Sequence, residues 1–169
     1  MFVARRLVLA HFAVALAGFL LAIVLGEWQM IVRSPLHAWV ANPEHYYRSV
    51  TAHGTVMAYV LPTLVAMGFG YAISELALKQ SLVGLRAAWI GFWLVVAGTV
   101  IAAGTVASGK ASVLYTFYPP LIANALYYVG VVVVVVGSWV WVALMTINLR
   151  AWRRRNPGAT VPLAMYGNV

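Results

Sequence analysis

Apolar residues dominate four stretches of the chain, Leu7 to Val32, Tyr46 to Leu78, Ala87 to Ala107 and Leu121 to Leu149, and most charged residues fall between them. Each stretch is long enough to cross a hydrocarbon core of about 30 Å, which takes about 20 helical residues. An open strand in lipid would leave its backbone N–H and C=O groups unpaired, so the strand-prone run Val131 to Val136 is read as helix. The pattern predicts an all-α integral membrane protein with four transmembrane helices in one membrane domain, residues 1–169. Arg5 and Arg6 ahead of Leu7 to Ala17 have the shape of a secretory signal, but the apolar run continues past Gly18, which favours a retained span. Asn156-Pro157-Gly158 is a helix stop, and residues 157–169 read either as the truncated start of a fifth helix or as a tail lying on the membrane surface.

Composition sharpens this picture. A chain that is 64% hydrophobic and 8% charged, with a mean hydropathy of +0.91, lies outside the soluble range. The net charge of +8 does not point to nucleic acid, because the basic residues sit between apolar runs as topology signals. Arg5, Arg6, Lys79, Arg86, Arg150, Arg153, Arg154 and Arg155 fall on one side of the four spans, leaving Arg33, Arg48 and Lys110 on the other. Since Lys and Arg concentrate in cytoplasmic loops, both termini are expected in the cytoplasm. Trp28, Trp39, Tyr46, Tyr47, Tyr115, Tyr118, Tyr127 and Tyr128 then gather near the outer boundary, as an interfacial aromatic belt does. Cysteine is absent, so any metal must be held by His, Met or carboxylate.

Few ionisable residues are candidates for chemistry. His37, Glu44 and His45 belong to an outer loop and Glu27 to the outer end of the first span, where solvent or headgroups account for them, while Glu75 ends the second span on the cytoplasmic side and needs no special role. His11 lies about one turn inside the inner boundary, within reach of the interface. His53 is different, because counting from Tyr46 places it about 10 Å into the apolar zone. A buried imidazole is neutral, the form a metal ligand requires, though a backbone carbonyl could equally satisfy it as a structural residue. Gly54 beside it, with Ser49, Val56, Met57 and Val60 at helical spacing, offers a smooth wall to a flat macrocycle, and Pro62 is expected to bend the helix. A low-spin heme on His53 needs a second axial ligand at the same depth, and no other helical histidine stands there. Either the site is not bis-histidine, Met30 being the only sulfur ligand near that level, or its other half lies outside this chain.

The stretch Ser49-Val-Thr-Ala-His-Gly-Thr-Val-Met57 resembles the helix II motif of heme-copper oxidase subunit I, whose T-A-H or T-L-H histidine binds the low-spin heme. Tyr115-Thr-Phe-Tyr-Pro-Pro-Leu121 resembles a second motif of that family, W/Y-T-x-Y-P-P-L, found on the outer side before helix IV. The two occur in the family's order with one apolar helix between them. The resemblance implies helices I to IV and the start of V of a larger bundle, a respiratory chain enzyme of cytochrome c oxidase type coupled to proton translocation, and His53 as an axial ligand of a b-type low-spin heme. Ser49, Met57, Tyr115 and Tyr118 would be residues of the heme's surroundings. It implies no catalytic residue in this chain, since the high-spin heme and copper ligands belong to later helices.

The implied partners are the remaining helices of subunit I, a copper-bearing subunit II, a cytochrome c-like electron donor and the lipid of a prokaryotic cytoplasmic membrane, with no nucleic acid. The segment Glu75 to Arg86 lacks the aspartate-containing loop of A-type oxidases, and Tyr115 replaces their usual Trp, so the resemblance is to the B-type branch. Two other readings stay open from the residues themselves: a non-catalytic accessory or assembly subunit with a structural His53, and a small cytochrome that binds heme between two copies. Reporter fusions near Asn42 and at the carboxyl end should give opposite signals if the charge rule sets the topology. Matching signals would mean that a span is miscounted.

Overall fold

The computed structural model describes residues 4–35 and 42–168. They fold as an up-and-down bundle whose helices are α1 (Arg5–Arg33), α2 (Pro43–Thr55), α3 (Leu61–Leu78), α4 (Leu85–Ala107) and α5 (Ala125–Arg155). A π turn, Val56–Val60, joins α2 to α3 into one rod, so the bundle has four helices long and apolar enough to cross a membrane. The π turn ends just before Pro62, where a carbonyl deprived of its i+4 donor can be served by a wider turn. The described termini and the α3–α4 turn share one end of the bundle, called here the terminal end; the end of α1, the start of α2 and the α4–α5 connection form the loop end.

Local chemistry sets the helix boundaries. Asn42 caps α2 by accepting from the Glu44 amide at 2.9 Å, with Pro43 at the first helical position. Asn124 caps α5 by accepting from the Leu126 amide at 3.0 Å. Hydropathy alone starts that span at Leu121, but Leu121, Ile122 and Ala123 run in a non-helical segment with an antiparallel bridge between Ala111 and Ala123. At its other end α5 runs on to Arg155, because Arg153, Arg154 and Arg155 complement the carbonyl end of the helix dipole. Residues 157–168 hold one 3-10 turn, Leu163–Met165, and pack Val161 and Met165 against Leu78, beneath the bundle.

Packing without a hydrophobic drive between helices relies on close backbone approach. Along the α4–α5 seam Gly98 and Gly130 face one another so closely that a Cβ on Gly98 would lie 2.5 Å from the Gly130 carbonyl oxygen. Gly91 and Gly137 repeat the arrangement two turns nearer the terminal end. Buried polar side chains close the terminal end. Glu75 is 8% exposed, and its carboxylate accepts from the amides of Ala4 at 3.2 and 3.3 Å and of Leu82 at 2.9 Å. This corrects the reading of Glu75 as a boundary residue without a special role, since it ties the start of α1 to the α3–α4 turn. Asn148 of α5 holds the same turn, accepting from the Val83 amide at 2.8 Å and donating to the Val83 carbonyl at 3.1 Å.

Gly98→Ala should destabilise the bundle by about 1–3 kcal/mol through overpacking. Gly104→Ala, on the same helix with nothing within 4 Å of its Cβ position, should be neutral or stabilising. Reversible unfolding in mixed micelles reads the difference. Equal effects would mean that the seam is not the tight contact described.

Candidate functional site

His53 stands in the first third of the α2–α3 rod, about 15 Å along the helix from Pro43. Its ring is turned toward α1, where Nδ1 donates to the Ala22 carbonyl oxygen at 2.8 Å. Gly26, one turn further along α1, leaves the space the ring occupies: a Cβ there would lie 3.3 Å from His53 Cε1. The bond to Ala22 fixes the tautomer, with the proton on Nδ1 and the lone pair on Nε2. Nε2 makes no hydrogen bond within the described residues, and it is not sealed in the interior. Carbonyl satisfaction and metal ligation, which the sequence presents as alternatives, are thus compatible: one nitrogen is satisfied and oriented while the other stays available. A single imidazole is the donor set, for among the described residues no three His, Asp or Glu side chains cluster to hold a metal ion.

The neighbours expected around His53 divide. Met57, one turn on, is 36% exposed. Ser49, Val56 and Val60 instead line a groove between α1, α2 and α4 to which His53 does not contribute. The cause is α1 itself, which lies on the stripe these residues form, with Gly18 against Val56 and Gly26 against His53. Ser49 is buried and donates to the Tyr46 carbonyl oxygen at 2.8 Å. Gly54 does not clear space beside the imidazole. It faces Tyr115 of the α4–α5 connection, and a Cβ there would come within 2.9 Å of Tyr115 Cβ.

That connection is pinned to α2 on either side of His53. Thr51 accepts from the Leu114 amide at 2.9 Å while donating to the Tyr47 carbonyl oxygen at 2.7 Å, which holds Leu114 at φ 62°. The Tyr59 hydroxyl donates to the Tyr115 carbonyl oxygen at 2.7 Å, and the Tyr59 and Phe117 rings stack at 6.3 Å. Tyr115 is 43% and Tyr118 61% exposed, so both present ring surface outward from the bundle. Tyr127, expected in the interfacial belt, is instead fully buried and pairs with Thr55 Oγ1 at 2.7 Å. Thr51, Thr55, Tyr59, Ala22 and Gly26 were not singled out from the sequence. The hydroxyls at Thr51 and Thr55, one turn apart in an apolar helix, were the signal available for two of them; nothing in the sequence marks Ala22.

The other histidines stand elsewhere. His11 is wholly buried at the terminal end, donating from Nδ1 to the Leu7 carbonyl oxygen at 2.8 Å, with its ring 5.5 Å from Tyr71 and 4.8 Å from Phe92. This corrects the expectation that it reaches the interface: α3 offers Gly68 at the contact and admits the ring between helices. His45 is exposed in the first turn of α2, and Glu27 and Glu44 are exposed as expected. His37 and Trp39 lie outside the described residues.

Comparison with known proteins places this geometry in a family. The chain is 34% identical over 125 residues to cytochrome c oxidase subunit 1 of Thermus thermophilus, an alignment covering 73% of this chain and 22% of the relative. A solved structure of a heme-copper terminal oxidase dimer superposes with a TM-score of 0.89 at 32% identity, covering 99% of this chain and 29% of that one. The chain therefore spans less than a third of the length of the relatives it matches. The family described as Cytochrome C and Quinol oxidase polypeptide I matches residues 6–169, and the chain belongs to that family.

Proposed function

We propose that this chain forms the part of an oxidase large subunit that presents His53 Nε2 as one axial ligand of a low-spin b-type heme. The observation that carries the reading is the Nδ1–Ala22 hydrogen bond, which orients the ring and leaves Nε2 with its lone pair free. A low-spin heme bound there supplies one-electron transfer. The chain's own part is to hold the imidazole at a fixed angle, and to keep the 108–120 connection against α2 and the π turn through Thr51, Gly54 and Tyr59. Met57, Tyr115 and Tyr118 present surface on which the heme's edge can rest; Ser49, turned into the groove, supports the helix.

In the complete enzyme this part serves electron flow from a cytochrome c-like donor toward dioxygen reduction coupled to proton translocation, in a prokaryotic cytoplasmic membrane with both termini inside. The second axial ligand, the high-spin heme and copper come from other segments of subunit I, and a copper-bearing subunit II docks beside it. The α3–α4 turn, where Glu75 and Asn148 satisfy the backbone without an aspartate-bearing loop, supports the B-type branch, as does Tyr115.

In the assembled complex, His53→Ala should remove the low-spin heme signal and lower the heme count in a pyridine-hemochrome assay. His11→Leu, at the far end of the bundle, should leave both intact. A normal six-coordinate low-spin spectrum in the His53→Ala complex would sink the assignment. Heme found only in a homodimer of this chain would favour the small cytochrome, and none in any assembly the accessory subunit. Tyr115→Ala should shift the low-spin heme's potential or absorption, and Gly54→Ala should produce a similar shift by pushing Tyr115 off α2. Unchanged spectra in both variants, with normal assembly, would place the connection away from the heme.

A further inference from the structure

At the terminal end α1 and α4 touch, with the His11 and Phe92 rings 4.8 Å apart and Leu7, Ala15, Phe92 and Val95 in one apolar cluster. Toward the loop end they part. There the cluster built on Ala102 and Val106 takes its other members from the α4–α5 connection and α5, with Ala52 of α2 packed on it, and none from α1. The gap is an apolar groove of about 640 Å³, walled by Leu21 and Leu25 of α1 and Ala102 and Val106 of α4, and floored by Val56 and Val60. From Arg48 to Val60 it runs about 18 Å along the rod, the scale of one leaflet of a hydrocarbon core about 30 Å thick. Its mouth is lined by Trp28, His45 and Arg48. The Arg48 guanidinium donates to the carbonyl oxygens of Val106 at 3.1 Å and Ala107 at 2.5 Å, so its position is fixed. Among the described residues no carboxylate pairs with it, and neither Glu27 nor Glu44 lines the groove.

We propose that this groove binds one acyl chain of an anionic phospholipid from the leaflet at the loop end, with the phosphate against Arg48 and His45. Three observations select this occupant. The depth is apolar and the mouth basic, which matches an amphiphile with an anionic head. The volume lies within the range of about 300–1,000 Å³ typical of small-ligand sites. The closure of α1 on α4 at the terminal end, where the His11 and Phe92 rings lie 4.8 Å apart, stops a membrane-spanning helix from entering.

Native mass spectrometry of the complex extracted from its own membrane tests this. The unmodified complex should retain a phospholipid that Ala103→Trp, which fills the groove, expels. Ala97→Trp, exposed on the same helix outside the groove, should keep it, and Arg48→Gln should weaken retention of phosphatidylglycerol by about fivefold. An unchanged lipid complement in Ala103→Trp, or no retained lipid in the unmodified complex, overturns the proposal. Should Ala103→Trp fail to assemble, an electron microscopy map of the unmodified complex in phosphatidylglycerol nanodiscs decides. A thin ridge of density ending at Arg48 upholds the proposal, and a polypeptide helix or an empty groove refutes it.

Discussion

Polar groups in this protein have almost no water to fall back on, and that constraint shapes the structure more than any single contact. In hydrocarbon an unpaired N–H or C=O costs several kcal/mol, and each of the four long apolar segments pairs its backbone internally as a helix. Side chains inherit the same demand. Glu75 uses its carboxylate on the amides of Ala4 and Leu82, where two helix-free segments meet. Asn148 does the equivalent for Val83, and Arg48 covers the last carbonyls of α4. These residues hold the ends of helices whose middles are joined by small-residue packing.

Against that background the imidazole of His53 stands out because it is satisfied on one side only. Its Nδ1 is committed to a carbonyl of α1, and the small residues Ala22 and Gly26 let the two helices approach enough for the bond to form. In the proposed role, a ring held this way would lose little freedom on binding a metal at Nε2, its orientation being set beforehand. His11 shows the contrast. It too donates to a carbonyl, but from within its own helix, and its ring is closed in by Tyr71 and Phe92.

The two faces of the rod serve different neighbours. On one, Thr51, Gly54 and Tyr59 carry the α4–α5 connection, whose Tyr115 and Tyr118 are exposed. On the other, Ser49, Val56 and Val60 line the groove between α1 and α4. The π turn lies where both sets must be presented, and by widening one turn it changes the register of everything beyond Thr55. A regular helix through Val60 would aim these side chains differently.

The sequence by itself determined the class of fold and the number of helices, because hydropathy acts over whole spans and an unbroken apolar run of that length satisfies its own backbone in lipid as a helix. It also marked His53, through its depth in an apolar run and the residues around it. What it left undecided were the relations between residues distant along the chain. Gly54 read as space for a macrocycle until the α4–α5 connection was seen to lay Tyr115 on it, and Tyr127 read as an interfacial aromatic until Thr55 was found as its partner. Glu75 and His11 looked like boundary residues because distance along a helix says how deep a side chain starts, not what stands opposite it. The Ala22 carbonyl carries no signal in the sequence, since every residue has one. Only the packing of α1 onto α2 selected the one that faces His53 and so decided which ring nitrogen stays free.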